Sequence, residues 1–284
     1  MRHLVENATA LNPGQKVSIW AFSGGPQIAV SFLHRQTQVW KDTHVAWFAA
    51  TSPVWGGVVE ALAVYISGVV AAIPPGVVLN TTMKLELEYL RGIARALPAA
   101  LWYFPRVAAN STTGWLKDEP VVTTKSKTYT AVDTVEILTD LGLDAATIAG
   151  LEALTAEPDL GAFAAPGVNT VVTFGTGFPV PVALEYIDDL TRGGLTLPTR
   201  ITNETGDNLV PRRSSLRSLQ WGAAQRAAGK QLIHREYPGQ PHAQCFPNSF
   251  VGGDGKGGGA DGAECFRSVI ATINSVSLPS LAQV

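Results

Sequence analysis

A short apolar segment runs directly into a serine turn and a helix near the start of the chain. Residues 16–22, KVSIWAF, are rich in β-branched and aromatic side chains, which predicts a buried parallel strand. The turn Ser-Gly-Gly follows at 23–25, and the apolar spacing of residues 26–40, which begin with proline, predicts a helix. Strand, sharp turn and helix in direct succession are typical of a parallel α/β sheet.

Strand and helix patterns also alternate later in the chain. Further strands are predicted at 44–51, 168–175, 200–203 and 231–237, and further helices at 211–228 and 265–277. Residues 58–166 instead combine helical segments, aromatic clusters and polar loops over a stretch too long for a simple crossover. We therefore expect a core formed by residues 1–57 and 166–284, with residues 58–165 inserted as a cap and lid.

One segment, residues 58–74, is apolar enough to suggest a membrane helix. It is shorter than the ~20 residues that a bilayer span needs. It also contains Glu60. We therefore predict a buried or interfacial helix.

The turn at Ser23 is a near match to the G-x-S-x-G nucleophile elbow of α/β hydrolases, with Ala21 in place of the first glycine. The elbow needs small flanking residues because its serine sits in a strained strand-to-helix turn. Such a turn directs the N–H of Gly24 toward the oxyanion of a bound acyl group. An ordinary glycine-rich turn is the alternative, and the flanking strand and helix favour the elbow.

A nucleophilic serine needs a base, and a carboxylate must hold that base in one tautomer. In α/β hydrolases the chain order is serine, acid, histidine. His242 follows the last predicted strand in a Pro-Gly-Gln-Pro-His loop, from which its imidazole can reach the elbow. The other histidines lie in the terminal segment, a helix or strands, where we expect structural or exposed side chains: His3, His34, His44 and His234.

Asp207 is the candidate acid. It lies in Thr-Gly-Asp-Asn-Leu-Val-Pro, between a predicted strand and a predicted helix. Asp207 could instead simply form an Asx turn, as Gly-Asp-Asn sequences often do. Asp188 and Asp189 are competitors, but they lie in a polar run that we interpret as a solvated hairpin. Position at the carboxyl end of a strand favours Asp207.

Composition excludes some classes of partner. Hydrophobic residues make up 46% of the 284 and charged residues 15%, so the chain can bury a sizeable core. A net charge of −2 leaves no basic field for phosphate backbones, and nucleic acid is not an expected partner. A Gly/Asp-rich loop at 252–262 could suggest calcium, but it lacks a repeated spacing. We predict neither a metal nor a cofactor.

Signals for the cellular compartment disagree. Four Asn-x-Ser/Thr sequons favour a glycoprotein of the secretory lumen. Cys245 and Cys265 could form a disulfide there, or remain free thiols. Yet the first residues, MRHLVENATALNPGQ, lack the apolar region of a signal peptide.

Several segments, in order, resemble the lecithin:cholesterol acyltransferase family and its lysosomal-type phospholipase A and phospholipid:diacylglycerol acyltransferase relatives. Residues 32–42 are similar to the family's segment after the elbow, and residues 48–57, FAATSPVWGG, to its Gly-Ala-Pro-Trp-Gly-Gly turn. Residues 102–106, WYFPR, resemble its Trp-x-Phe-Pro segment, and residues 165–181 its Ala-Pro-Gly-Val stretch. Phe22 departs from the family, which usually has histidine before the nucleophile.

The resemblance implies an α/β-hydrolase fold and a triad of Ser23, Asp207 and His242. It implies transfer or hydrolysis of a fatty acyl group from a phospholipid at a membrane or lipid-particle surface, with a sterol, diacylglycerol or water as acceptor. It also places a lid at about residues 67–95. The residues expected to belong to the lid or to the acyl-binding site are Ser67, Trp102 and Phe104.

The resemblance also bears on location and completeness. The family implies the secretory lumen, the vacuole or lysosome, or the extracellular space. In the family, the opening strands and the loop with the second oxyanion N–H precede the elbow, so we expect an N-terminally truncated chain. A catalytically inactive paralogue that binds lipid or protein is the alternative function.

Overall fold

The computed structural model describes residues 1–68, 81–156, 163–192, 197–242, 269–271 and 273, and it shows a mixed α/β protein. The strands are β1 Val17–Phe22, β2 Val45–Thr51, β3 Pro120–Thr123, β4 Thr128–Thr130, β5 Asn169–Thr176, β6 Phe178–Glu185, β7 Arg200–Gly206 and β8 Leu232–Pro238. The helices are α1 Arg2–Leu11, α2 Gly25–His34, α3 Gln38–His44, α4 Val59–Ser67, α5 Thr81–Ala96, α6 Thr134–Asp140, α7 Ala145–Ala156, α8 Arg212–Ser215 and α9 Gly222–Ala227. Two 3₁₀ helices span Pro98–Tyr103 and Leu216–Trp221.

The first sheet is parallel, as the sequence predicts. Its strand order is β1-β2-β5-β8. β2 and β5 are buried along almost their whole length, and the nearly continuous apolar sequence of β2 fits that position. β1 has β2 as its one described neighbour and is only partly buried, so it lies at an edge of the described sheet.

A second, mixed sheet of order β4-β3-β6-β7 was not predicted. The segment predicted as a strand at 200–203 belongs to β7, and it pairs antiparallel with β6 rather than joining the parallel sheet. β6 escapes sequence detection because it contains Pro179 and Pro181, which are unusual within strands. β3 and β4 come from the predicted insertion, whereas β6 and β7 come from the predicted core. The division into core and insertion remains a prediction.

Two predicted helices are interrupted. The helix expected over 26–40 is divided into α2 and α3, because the Thr37 hydroxyl accepts a hydrogen bond from the N–H of Trp40 at 3.2 Å and caps a new helix. The helix expected over 211–228 consists of α8, a 3₁₀ helix and α9. The N-terminal segment also forms a helix, α1, whose Val5 is buried.

The apolar segment at 58–74 begins as the buried helix α4, which ends at Gly68 with a φ of 76°. Among the described helices, none is long and apolar enough to cross a membrane. Cys245, Cys265 and the loop at 252–262 lie outside the described residues, as does most of the helix predicted at 265–277.

An aromatic cluster anchors the turn between β2 and α4. The ring of Trp55 lies 4.8 Å from that of Trp221, which in turn lies 4.6 Å from Phe163. Gly56 follows Trp55, and its N–H donates to both the carbonyl and the hydroxyl of Ser214. This packing fixes the backbone at the carboxyl end of the parallel sheet.

Candidate active site

Ser23 occupies a sharp turn between β1 and α2. Its φ of 59° lies in the left-handed region, which residues with side chains rarely adopt. The turn is held by hydrogen bonds from Ser23 N–H to the Thr51 carbonyl, at 3.0 Å, and from Val54 N–H to the Ser23 carbonyl, at 3.3 Å. The hydroxyl therefore lies at the carboxyl end of the sheet and the N-terminus of α2, as a nucleophile elbow requires.

His242 lies between Ser23 and Asp207. Its Nε2 is 2.9 Å from Ser23 Oγ, and its Nδ1 is 2.8 Å from Asp207 Oδ2. An ionised carboxylate can only accept hydrogen bonds, so Nδ1 carries the proton and Nε2 is free to accept from the serine hydroxyl. The imidazole side chain is 13% exposed and packs against Phe22 with ring centroids 5.0 Å apart. This geometry can activate a serine alcohol.

Asp207 is 1% exposed and makes both of the contacts considered for it. Oδ1 accepts from the N–H groups of Leu209, at 3.2 Å, and Val210, at 2.7 Å, which is an Asx turn. Oδ2 is left for His242. Asn208 completes the tight turn with a φ of 79°. The turn thus aims one carboxylate oxygen at the imidazole.

Asp189, one of the two competing acids, holds a turn together. Asp189 Oδ1 accepts hydrogen bonds from Thr124 Oγ1 and from both the N–H and the hydroxyl of Ser126. These bonds close the turn between β3 and β4. Asp188 is exposed. Neither residue has a described contact with His242.

The other histidines have partners away from Ser23. The ring of His34 bonds the Ala165 carbonyl, His44 bonds the Thr9 hydroxyl, and His234 bonds the Ser218 hydroxyl. Burial lowers the pKa of His234 to about 4, so this ring is neutral over the usual pH range. Within the described ranges, no group of three or more His, Cys, Asp or Glu residues is arranged to hold a metal ion.

Gly24, the predicted oxyanion donor, lies against Tyr103. It is the N-cap residue of α2, and the first N–H groups of a helix have no intrahelical acceptor. A Cβ at this position would overlap the hydroxyl of Tyr103. Because of this overlap, a residue without a side chain is needed at position 24 for the close approach of the phenol ring. In the described part of the chain, nothing hydrogen-bonds the Tyr103 hydroxyl.

Two of the sequence segments noted above are bonded to each other, which explains how Tyr103 reaches the elbow. The Val58 N–H donates to the Tyr103 carbonyl at 2.8 Å, and the Arg106 N–H donates to the Gly56 carbonyl at 2.8 Å. Gln27 of α2 adds a third link, since its Nε2 donates to the carbonyl of Val54 at 2.8 Å. The turn after β2 and the Trp-Tyr-Phe-Pro segment thus form one wall beside Ser23.

A cavity of about 330 Å³ opens beside Ser23. Its wall is mostly aliphatic, with side chains from α4, α5 and the loop after β7. The polar groups on the wall belong to Ser23, Glu60, Tyr65 and Tyr103. An apolar cavity with few polar groups suits a hydrocarbon chain.

The three residues predicted for the lid or the acyl-binding site are not part of this wall. Ser67 is buried and donates to the Tyr186 hydroxyl at 3.4 Å. Phe104 packs edge-on against Tyr65 with ring centroids 5.0 Å apart, and the Trp102 carbonyl accepts from α2. Their predicted roles remain untested.

Sequence reasoning missed Tyr103 and Glu60. Tyr103 stands between the two aromatic residues that were chosen, and a 3₁₀ helix gives no apolar period from which its direction could be predicted. Glu60 did give a signal, because it is the single charged residue in the apolar segment 58–74.

Comparison with known proteins identifies a family and several relatives. The family model described as lecithin:cholesterol acyltransferase matches residues 1–160. The chain is 27% identical over 249 residues to the human lysosomal phospholipase A and acyltransferase, covering 88% of this chain and 54% of that protein. It is 29% identical over 220 residues to the phosphatidylcholine-sterol acyltransferase of Gallus gallus, covering 78% and 48%. The chain therefore spans about half the length of these relatives.

Proposed function

The chain belongs to the lecithin:cholesterol acyltransferase family, and from this premise we propose that it transfers or hydrolyses a phospholipid acyl group through an acyl-Ser23 intermediate. The observation that carries the proposal is the hydrogen-bond chain from Ser23 through His242 to Asp207, beside an apolar cavity. The α/β-hydrolase fold, with a lid over the active site, is part of the same proposal.

In the proposed mechanism, His242 transfers protons, Gly24 stabilises the oxyanion and Asp207 orients the imidazole. His242 Nε2 takes the Ser23 proton as Oγ attacks the ester carbonyl, and it then gives that proton to the departing glycerol oxygen. The Gly24 N–H donates to the carbonyl oxygen as negative charge develops there. The acceptor then loses its proton to Nε2 as it attacks the acyl-serine, the bond between the acyl carbon and Ser23 Oγ breaks, and Nε2 returns the proton to Oγ. Asp207 holds the imidazole in place throughout.

The acceptor is a sterol, a diacylglycerol or water. The mostly aliphatic cavity wall supports an alcohol acceptor, because exclusion of water reduces hydrolysis of the acyl-serine. The names of the relatives include a sterol acyltransferase and a phospholipase. A lysosomal or extracellular location belongs to the proposal on the same basis.

The exposed side chains of helix α5 support the proposal that the protein acts at a membrane or lipid-particle surface. The helix exposes several large apolar side chains: Leu85, Tyr89, Leu90 and Ile93. Ala94 of the same helix lines the cavity. Exposed apolar groups on a helix beside an active site suit contact with lipid.

Phosphatidylcholine vesicles that contain a long-chain alcohol test the proposal. Mass spectrometry would measure free fatty acid and acylated alcohol for the wild-type protein and for Ser23→Ala. We expect both products from wild type and a loss of about 10⁴-fold or more in the variant. A folded wild-type protein that binds the vesicles without forming either product would support the non-catalytic alternative.

A further inference from the structure

Glu60 is an ionisable group of the cavity that the proposed mechanism does not use. It lies in the first turn of α4 and is 8% exposed. Its carboxyl contributes to the same cavity wall as Ser23. Oε2 is buried, and no described group hydrogen-bonds it. A carboxyl in this position is unusual, because burial without a partner strongly disfavours its charged form.

The charged groups around Glu60 do not compensate it. Asp207, from the loop after β7, repels a charge on Glu60. The other ionisable groups on the wall are the phenols of Tyr65 and Tyr103, and burial raises the pKa of Tyr65 to about 12. Arg95 of α5 donates instead to the Tyr65 carbonyl at 2.9 Å.

Arg106, which follows the 3₁₀ helix, is also engaged elsewhere, since its Nη2 lies 3.4 Å from the Trp102 carbonyl. Burial, and secondly the charge of Asp207, raise the pKa of Glu60 to about 7. The carboxyl is therefore neutral in acid and becomes an anion as the pH passes through neutrality.

We propose that Glu60 must be protonated for Ser23 to be acylated, so that this residue sets the upper pH limit of the enzyme. The inference rests on the proposed function. A Glu60 anion in the cavity wall would oppose negative charge developing on the carbonyl oxygen at Gly24. This repulsion lowers the rate of acylation.

The rate at which a fluorophosphonate labels Ser23 tests this between pH 5 and 9. The wild-type rate should fall about tenfold per pH unit above pH 7, as expected when only one protonation state reacts. Glu60→Gln keeps the shape of the neutral side chain, and its rate should not fall. At pH 8.5 the variant should react roughly 30-fold faster than wild type. Glu136→Gln, an exposed change on α6, is the matched control and should behave as wild type.

The ¹³C NMR signals of labelled glutamate carboxyls give a second readout that does not depend on reactivity. The signal missing in Glu60→Gln should titrate in wild type with a midpoint near 7. A midpoint between 4 and 5, or equal labelling profiles for wild type and Glu60→Gln, would overturn the inference alone. If Ser23 is not labelled at any pH, the proposed function fails, and the inference fails with it.

Discussion

The carboxylate of Asp207 divides its two oxygens between His242 and its own turn. Oδ2 lies 2.8 Å from His242 Nδ1, while Oδ1 caps the turn through the N–H of Val210 at 2.7 Å. The His242 N–H also donates to the Asp207 carbonyl, at 2.6 Å. Asp207 follows β7 of the mixed sheet, and His242 follows β8 of the parallel sheet. The candidate site therefore depends on both sheets.

This division predicts different outcomes for two substitutions of Asp207. Asp207→Asn retains an oxygen for the turn but loses the charge that fixes the imidazole tautomer. We expect kcat to fall by about 10⁴-fold, with little change in stability. Asp207→Ala should lose activity as well, and it should also destabilise the fold by about 1–3 kcal/mol, because the Val210 N–H loses its acceptor. Kinetics on a soluble ester and urea unfolding measure both effects. An Asp207→Asn variant within tenfold of wild type would contradict the role of the carboxylate.

The contact between Gly24 and Tyr103 predicts that Gly24→Ala is harmful even though alanine keeps the backbone N–H. The added methyl group would overlap the phenol hydroxyl and displace the ring from the cavity wall. We expect at least a tenfold loss of kcat/KM in Gly24→Ala. The double variant Gly24→Ala/Tyr103→Ala removes the overlap, so it should be more stable to heat than Gly24→Ala/Tyr89→Ala, the matched control. Equal melting temperatures for the two double variants would show that the overlap is not the cause.

An ion-pair network supports the mixed sheet. Arg213 bonds Glu119 and Glu204, each at 2.6 Å, and its side chain is 13% exposed. Burial raises the pKa of Glu204, and the charge and hydrogen bonds of Arg213 oppose that effect by stabilising the carboxylate. Arg213→Ala should therefore destabilise the protein by about 3 kcal/mol in urea unfolding at pH 7.

Arg200→Ala is the control for that measurement. Arg200 pairs with Glu185 at 3.2 Å, but its side chain is 71% exposed. The loss should be at most about 0.5 kcal/mol, because solvent screens an exposed pair. Similar losses in the two variants would mean that burial does not strengthen the Arg213 network.

The apolar face of α5 predicts a change that depends on the form of the substrate. Leu85→Glu/Tyr89→Glu should reduce turnover of phosphatidylcholine vesicles by tenfold or more and leave hydrolysis of a short soluble ester unchanged. Leu4→Glu/Leu11→Glu changes two similarly exposed residues on α1 and should not affect either substrate. Equal loss on vesicles and on the soluble ester would indicate that α5 is structural.

The residues brought together at the candidate site could be chosen from sequence because each has a local signal. Ser23 follows an apolar strand and precedes a proline-led helix, and His242 follows β8, the last strand in the described part of the chain. Asp207 precedes Asn208, whose left-handed conformation forms the turn. Local signals of this kind do not depend on distant contacts.

Features that depend on distant contacts were not predictable. Proline is unusual within strands, so Pro179 and Pro181 give no strand signal, yet this segment pairs with β7 as a strand. The break at Thr37 is different, because its cap is a local contact, but the continuous apolar pattern over residues 26–40 predicted a single helix. The direction of Tyr103 is set by backbone bonds to the turn after β2, which no sequence period reveals.

The most direct test of the central claim is whether the acyl group passes through Ser23. The protein would be mixed with phosphatidylcholine, quenched in acid within milliseconds to seconds, digested and analysed by mass spectrometry of the peptide that contains Ser23. We predict a single fatty acyl ester on Ser23, formed before the free product and absent in Ser23→Ala. Lipid turnover that persists in Ser23→Ala, or an acyl group found on a different residue, would contradict the account.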